Sequence, residues 1–258
     1  MTLKIALAQM RCEKGAVAAN LDAIESQLNE ASRRNVDILC LPEMSISGYA
    51  DPSRYPHALL RLEGPEIGRL LEMTRGKGCT VIAGLIEANG DQKPFITQVV
   101  VRGGELAGYY RKITILDEEA EWFSAGTVIP IFRHEQVDFG IAICADIENE
   151  AIFAECKRRG AQVVFAPSAP GLYGEQSTRD WLSSYTWWEG DCQRHLSRYA
   201  EKYGLWIAVA TQAGRTVDED FPGGGFLFDP SGQLIYATQD WSEGTVYPEI
   251  GDRVQAIE

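Results

Sequence analysis

Cys144 closes the apolar run Val137-Asp138-Phe139-Gly140-Ile141-Ala142-Ile143 and is followed at once by Ala145-Asp146. Alternation and β-branched residues make 137–143 a buried strand. A thiol at the tip of such a strand, ahead of a helix, projects from the sheet edge where ligands bind in open α/β sheets. The backbone N–H groups beside it point the same way, so a nucleophile and an anion site come together. An isolated cysteine is more often a small buried hydrophobe, but two other polar residues stand in similar settings. Glu43 lies just past a short apolar strand, 36–41, and directly after Pro42. Such a carboxylate is partly desolvated, which raises its pKa toward the working range of a general base; alone, it would pass for a loop acid. Lys112 lies in Gly108-Tyr109-Tyr110-Arg111-Lys112-Ile113-Thr114-Ile115, which alternates like a strand and puts Lys112 on one face with Tyr110 and Thr114. A lysine there is ordinarily a solvated edge residue. Beside a thiolate it becomes an anchor for a developing oxyanion.

Those residues sit in three ordered blocks: Leu41-Pro42-Glu43 with Gly48-Tyr49, Tyr110-Arg111-Lys112-Ile113, and Ile141-Ala142-Ile143-Cys144-Ala145-Asp146. In order and spacing they resemble the signature blocks of the nitrilase superfamily, the carbon–nitrogen hydrolases. The resemblance starts at Lys4-Ile5-Ala6-Leu7-Ala8-Gln9 and runs almost to the C-terminus. It implies an α/β fold, a four-layer α-β-β-α sandwich. It also implies a cysteine-dependent amidohydrolase of the amidase-like branch, acting on a small linear amide or ω-amide. Amides are poor electrophiles, and their hydrolysis needs an activated nucleophile, a held oxyanion and a proton for the departing nitrogen. In the implied scheme Glu43 takes the thiol proton, Cys144 attacks, and Lys112 with the backbone N–H of Ala145 holds the oxyanion. Glu43 then protonates the leaving nitrogen and activates water against the thioester. A Cys144 pKa depressed by the lysine charge is part of that expectation.

The resemblance also calls for a second carboxylate between the lysine and cysteine blocks. Counting back from Gly126 favours Glu119, with Glu121 as the neighbouring alternative; the plainer reading of the stretch is an acidic loop facing solvent, which must hold for at least some of its acids. Tyr49 and Trp122 are the expected pocket walls. Asp146 is placed to cap the following helix and shape the oxyanion turn, and Ser168 lies in an expected pocket-forming loop. Arg179 is a further possible partner for a substrate carboxylate. Most aromatics of 170–188, Tyr173 among them, are better read as core or interface residues. Relatives often carry Tyr after the nucleophile, and true nitrilases Trp-Glu. Ala145-Asp146 argues against a nitrile substrate, and Glu148 departs from the usual continuation. An N-carbamoyl compound is the alternative substrate, and a non-catalytic binding protein on the same fold is the alternative class.

The rest of the chain narrows the field. Its 258 residues, 45% hydrophobic, suffice for a sizeable core. No linker, repeat or low-complexity tract interrupts them, so 1–258 reads as one carbon–nitrogen hydrolase domain. A formal net charge of −13 argues against nucleic acid and anionic membranes as partners. The short apolar N-terminus reads as a strand rather than a signal peptide, and the expected location is cytoplasmic. Six scattered cysteines without a CxxC pair, and only three histidines, give no zinc spacing and suggest free thiols. No metal, nucleotide or flavin signature appears, so no cofactor is expected. The partners expected are a small-molecule amide and, by resemblance, a second copy in a homodimer or higher homo-oligomer.

The positioning elements read as strands at 3–10, 36–41, 80–86, 95–101 and 105–115, then 137–143, 162–166 and 205–211. A final strand pair, 225–229 and 233–238, flanks the turn Pro230-Ser231-Gly232. Helices are expected at 16–33, 65–75, 150–159 and 179–203. Arg102-Gly103-Gly104-Glu105 is a tight hairpin turn.

Overall fold

Residues on both faces of the long strands are apolar and buried, which requires a layer on either side of each sheet. The computed structural model describes residues 2–116, 119–171 and 180–251. Its strands are β1 (Leu3–Gln9), β2 (Ile38–Cys40), β3 (Leu59–Leu60), β4 (Thr80–Asn89), β5 (Gln92–Arg102), β6 (Glu105–Arg111), β7 (Phe132–His134) and β8 (Val137–Ile141). They continue with β9 (Val163–Ser168), β10 (Trp206–Thr211), β11 (Ala213–Arg215), β12 (Asp220–Pro222), β13 (Gly225–Phe228), β14 (Leu234–Ala237), β15 (Gly244–Val246) and β16 (Glu249–Ile250). The helices are α1 (Val17–Arg33), α2 (Pro65–Thr74), α3 (Glu119–Trp122), α4 (Glu150–Arg158), α5 (Trp181–Cys192) and α6 (Arg198–Tyr203).

One sheet runs β15-β1-β2-β4-β5-β6, with β16 beside β1 and β3 beside β4; the other runs β14-β13-β10-β9-β8-β7. Ile5, Leu7, Ile38, Ile82 and Ile96 of the first meet Phe139, Ile141, Phe165, Ala208 and Leu227 of the second in one buried cluster. Ala6, Ala8, Leu39 and Val81, one residue out of phase, pack beneath Leu21, Ile24 and Leu28 of α1 and Ile67 and Leu70 of α2. On the far side Val164, Ile207 and Val209 pack beneath Ile152 and Phe153 of α4, Trp188 of α5 and Tyr199 of α6. The period-two alternation of each strand therefore feeds two different cores, and the result is the expected four-layer α-β-β-α sandwich. Among the described residues, no helix is long and apolar enough to cross a membrane.

Several element ends differ from the sequence reading, for local reasons. The strand expected to 115 ends at Arg111. Lys112 still donates its N–H to Ile96, but its carbonyl accepts from Gly126 and the N–H of Thr114 turns to Asp146. The strand expected to 143 ends at Ile141, because Ile143 donates to the Asp146 side chain and a 3₁₀ turn, Cys144–Glu148, begins. The single helix expected over 179–203 is α5 and α6 joined through a π turn, Gln193–Ser197. Residue 179 itself lies outside the described residues. The expected hairpin at Gly103-Gly104 is present, both glycines having positive φ as a type I′ turn requires. The short strands β3, β7, β11, β12, β15 and β16 were not anticipated.

Gly84 shows how tightly the first sheet holds the loop after β2. A Cβ there would stand 2.3 Å from the backbone nitrogen of Met44. Gly68, exposed on α2, has no neighbour within 4 Å of the same position. In denaturant unfolding, Gly84→Ala should cost about 1–3 kcal/mol, as overpacking does. Gly68→Ala should instead stabilise by roughly 0.5–1 kcal/mol. Equal effects of the two changes would contradict the close approach.

Candidate active site

Glu43 follows β2 on a loop that lies along β4 as though it were another strand. Ile46 donates its N–H to the Gly84 carbonyl at 2.8 Å, while the Gly84 and Ile86 N–H groups donate to the hydroxyls of Ser45 and Ser47 at 2.9 and 3.1 Å. Two serine hydroxyls thus replace carbonyls that this irregular backbone does not supply. Gln98 donates to the Pro42 carbonyl at 3.2 Å, and Met44, with φ of 49°, turns the chain immediately after the carboxylate. The Glu43 side chain is 0% exposed. Its Oε1 accepts from Lys112 Nζ at 2.9 Å and its Oε2 from the Ala169 N–H at 3.0 Å, and the Cys144 thiol is near enough to act on its ionisation. Burial raises its pKa to about 7; the Lys112 ammonium opposes that rise and the Glu119 carboxylate adds to it.

Lys112 emerges one residue past β6 and is 1% exposed. Besides Glu43, its ammonium meets both oxygens of Glu119, at 2.7 and 2.9 Å. Burial acts to discharge it, but Glu43, the Cys144 sulfur and Glu119 outweigh that, and its pKa stands above the ordinary lysine value. Glu119 opens α3, which Phe123 closes by donating to the Glu119 carbonyl at 2.8 Å; Ser124 then donates to the Pro94 carbonyl of β5. Glu121, two residues on, is exposed. Of the two acids weighed from the sequence, Glu119 is therefore the one that reaches the lysine.

Cys144 is half-buried at the start of the 3₁₀ turn, with φ of 45°. That backbone conformation is uncommon for a residue with a Cβ. It is closed by a reciprocal pair: Asp146 N–H to the Ile143 carbonyl at 2.9 Å, and Ile143 N–H to Asp146 Oδ2 at 2.9 Å. The thiol pKa is not depressed, contrary to the sequence expectation. Burial and then the Glu43 charge push it well above the ordinary value, and Lys112 only moderates the rise. The other five cysteines are free and fully buried.

The remaining expected residues separate into those near the charge cluster and those directed elsewhere. Tyr49 donates its hydroxyl to Glu119 Oε1 at 2.8 Å, and burial together with the Glu119 charge raises its pKa well above the ordinary phenol value, so it stays a donor. Tyr49 and Trp122 both line a cleft of about 350 Å³, shared with Lys14, Asp51, Arg54, Tyr55, Asp218 and Glu219. Ala145 occupies the first turn of the 3₁₀ segment, where backbone N–H groups lack intrahelical acceptors. Asp146 is fully buried and directs both oxygens at protein donors. Ser168 is also fully buried, its hydroxyl turned back to the Ala166 carbonyl at 3.1 Å. The next residue, Ala169, makes the contact with Glu43 through its backbone, which no side-chain pattern announces. Tyr173 and Arg179 lie outside the described residues. Among the described residues, no group of three or more His, Cys, Asp or Glu is placed to hold a metal ion.

Residues 4–258 match the model of the carbon-nitrogen hydrolase family, and the chain belongs to that family. It is 27% identical over 241 residues to the glutamine-dependent NAD(+) synthetase of Thermotoga maritima, covering 90% of this chain but 39% of that protein. The chain thus spans less than half the length of such curated relatives. The amidase of Nesterenkonia sp. shares the fold with a TM-score of 0.82 at 23% identity, covering 97% of this chain and 90% of that one. A structure of a mutant of the amidase from Nesterenkonia sp. AN1 shows covalent addition of the acetamide moiety of fluoroacetamide at its active-site cysteine; it is 24% identical with a TM-score of 0.81, over 97% and 90% of the two chains.

A raised Glu43 pKa has a signed consequence for stability. Between the ordinary carboxylate value of 4.5 and about 7, the folded chain binds more protons at this site than the unfolded chain. Its contribution to stability is therefore full at low pH and declines as pH rises through that window. Glu43→Gln removes the titration. Unfolding free energies measured from pH 4.5 to 7.5 should show wild type losing ground to the variant as pH rises, and a pH-independent difference would contradict the assignment.

Proposed function

We propose that this carbon–nitrogen hydrolase is a cysteine-dependent amidohydrolase that cleaves a small linear amide or ω-amide through a thioester. The observation that carries this reading is the convergence of three distant segments, bearing Glu43, Lys112 with Glu119, and Cys144, on one buried cluster. In the resting state the thiol keeps its proton, because its pKa lies above that of the carboxylate it faces. Substrate binding brings the carbonyl carbon to the sulfur. Glu43 accepts the thiol proton as the carbon–sulfur bond forms, so charge moves from carboxylate to carbonyl oxygen without a free thiolate persisting. An ammonium carries three N–H donors. Glu43 and the bidentate Glu119 engage two directions of Lys112, which leaves one for the oxyanion beside the Ala145 N–H.

Collapse of the tetrahedral intermediate expels nitrogen, which takes the proton from Glu43 and departs as ammonia or amine. A water molecule then gives a proton to Glu43, its oxygen attacks the thioester carbon, and the carboxylic acid leaves with Cys144 restored as a thiol. Lys112 is not a base in this scheme; its flanking carboxylates hold it protonated.

The cleft beyond Tyr49 favours a substrate with a polar distal end. Its lining holds Lys14 paired with Asp218 and Glu219 at 2.7 and 2.8 Å, Arg54 paired with Asp218 at 3.3 Å, the acid Asp51, and aromatic walls from Tyr55 and Trp122, so a charged substrate would bind by exchanging with these pairs. That mixture suits an ω-amide carrying both charges better than a plain aliphatic amide, and it agrees with the glutamine dependence in the names of some relatives. Ammonia release should be highest on ω-amides in a panel that also includes aliphatic amides, N-carbamoyl amino acids and nitriles. Carbon dioxide release would mark the carbamoyl reaction instead. Cys144→Ala should abolish turnover, and Glu43→Gln should lower kcat on the order of 10²–10⁴-fold, as loss of a general base does. Unchanged turnover by Cys144→Ala would defeat the proposal, and binding without turnover by wild type would favour a non-catalytic role.

A further inference from the structure

We infer that Asp146 is a positioning residue, whose carboxylate fixes the lysine-bearing segment and the cysteine turn to each other. The inference rests on the proposed roles of Lys112 and Cys144 but assigns something that those roles do not contain. Asp146 lies two residues after the nucleophile and is 0% exposed. Its Oδ2 accepts from the Tyr110 hydroxyl at 2.7 Å and from the Ile143 N–H at 2.9 Å; its Oδ1 accepts from the Thr114 N–H at 2.7 Å. Tyr110 and Thr114 stand two residues before and two residues after Lys112. Ile143 directly precedes Cys144. One carboxylate therefore grips the first sheet's chain on both sides of the lysine and the second sheet's chain at the edge of the nucleophilic turn.

The consequences are geometric. The regular strand ends at Arg111, so from Lys112 onward the backbone lacks a full ladder and is held by separate bonds. The Lys112 carbonyl goes to Gly126, the Thr114 N–H to Asp146, and the Thr114 hydroxyl accepts from Asn149 at 3.4 Å. Lys112 cannot slide along its own direction without breaking the contact at Tyr110 or the one at Thr114. Likewise, the positive φ of Cys144 is closed by the exchange between Asp146 and Ile143. A helix cap alone would need only the last of these. The Tyr110 and Thr114 contacts add nothing to a cap, but they tie the cation to the sulfur.

The charged and titratable groups around the linked site are known by element. Glu43 faces Lys112, Glu119, Tyr49 and Cys144, and Asp146 faces Tyr110, Lys112 and, from α4, Cys156. The ammonium of Lys112 is what opposes the burial-driven rise of the Glu43 pKa. If Asp146 lets go, Lys112 withdraws from Glu43, and the pH at which Glu43 accepts the thiol proton moves upward.

Asp146→Asn and Tyr110→Phe test this in the full chain. An asparagine keeps one acceptor oxygen but turns an NH₂ donor toward one side, and so loses one of the two grips. The phenylalanine loses only the Tyr110 donor and keeps the ring. Three quantities are read: kcat and KM on the best amide of the panel, iodoacetamide alkylation of Cys144 against pH, and thermal stability. Asp146→Asn should lower kcat tenfold to a hundredfold with KM changed less than threefold, and should move the alkylation midpoint to higher pH. Tyr110→Phe should move both in the same direction by less. If Asp146→Asn does not fold, Tyr110→Phe decides. Wild-type kcat and an unmoved alkylation midpoint in the folded variants, whatever their melting temperatures, would overturn the inference. Cys144→Ala separates the two levels: turnover surviving that change removes the nucleophile itself, whereas its loss alongside a normal Asp146→Asn removes only the positioning role.

Discussion

A lysine ammonium buried between two carboxylates is the constraint around which this structure is arranged. Taking one charge out of water costs several kcal/mol even after relaxation, and a pair is tolerated only with close geometry and its remaining hydrogen bonds satisfied. Lys112 meets Glu43 and Glu119 at 2.7–2.9 Å, Glu43 has the Ala169 N–H, and Glu119 has the Tyr49 hydroxyl. None of these partners is local except Glu119. The cluster can therefore exist only if β2, β6 and β9 all end at the same edge of the sandwich, and that edge is where β8 delivers Cys144. The arrangement that solves the burial problem is the one that, in the proposed reaction, would face a carbonyl with a base, a cation and a thiol.

The supports around the cluster share a physical theme, which is backbone held where regular ladders have stopped. Ser45 and Ser47 stand in for carbonyls beside β4, and Gly84 admits the loop to a distance no other residue allows. Gly126 does the same beside Arg111, where a Cβ would stand 2.3 Å from the carbonyl oxygen. Asp146 replaces ladder partners for Ile143 and Thr114. Regular strands give the site its approximate position, and these individual bonds fix the last ångström, which is the scale on which reaction geometry is decided.

Much of this was legible in the chain. The apolar alternation of 137–143 and the residues at its tip point to Cys144, the end of the strand 36–41 points to Glu43, and Lys112 is legible as a lysine on one face of an expected strand. Their convergence came from resemblance, because periodicity within one strand says nothing about which strands share an edge. Glu119 could be narrowed only to a pair with Glu121; a four-residue helix has too little pattern to show which acid turns inward. Ala169 was invisible, since it acts through its backbone. The two-residue and three-residue strands along the sheet edges were missed for a related cause: they are set by partners far away in sequence and carry too few residues to alternate. The direction of the Cys144 pKa differs from the sequence expectation because the sequence does not show the depth of burial, which together with the Glu43 charge outweighs the lysine.

That last difference bears on how the site stores its proton. A thiolate beside a lysine would be a standing nucleophile, open to oxidation and alkylation whenever the pocket is empty. Here burial and the Glu43 charge keep the proton on sulfur, while a carboxylate held at about 7 stays ready to take it. The raised carboxylate pKa reduces the mismatch between donor and acceptor, which is the condition for efficient transfer. Glu119 matters to this balance as well, its charge adding to the rise of the Cys144 pKa. It adds to the rise at Glu43, and it holds the lysine charged, which the proposed reaction needs when the carbonyl oxygen becomes negative. Removing any one of the four groups would change the proton's position as well as the contact it makes, so the cluster is a single ionisable unit, and in the proposed reaction its charge moves onto the substrate only when a carbonyl is there to accept it.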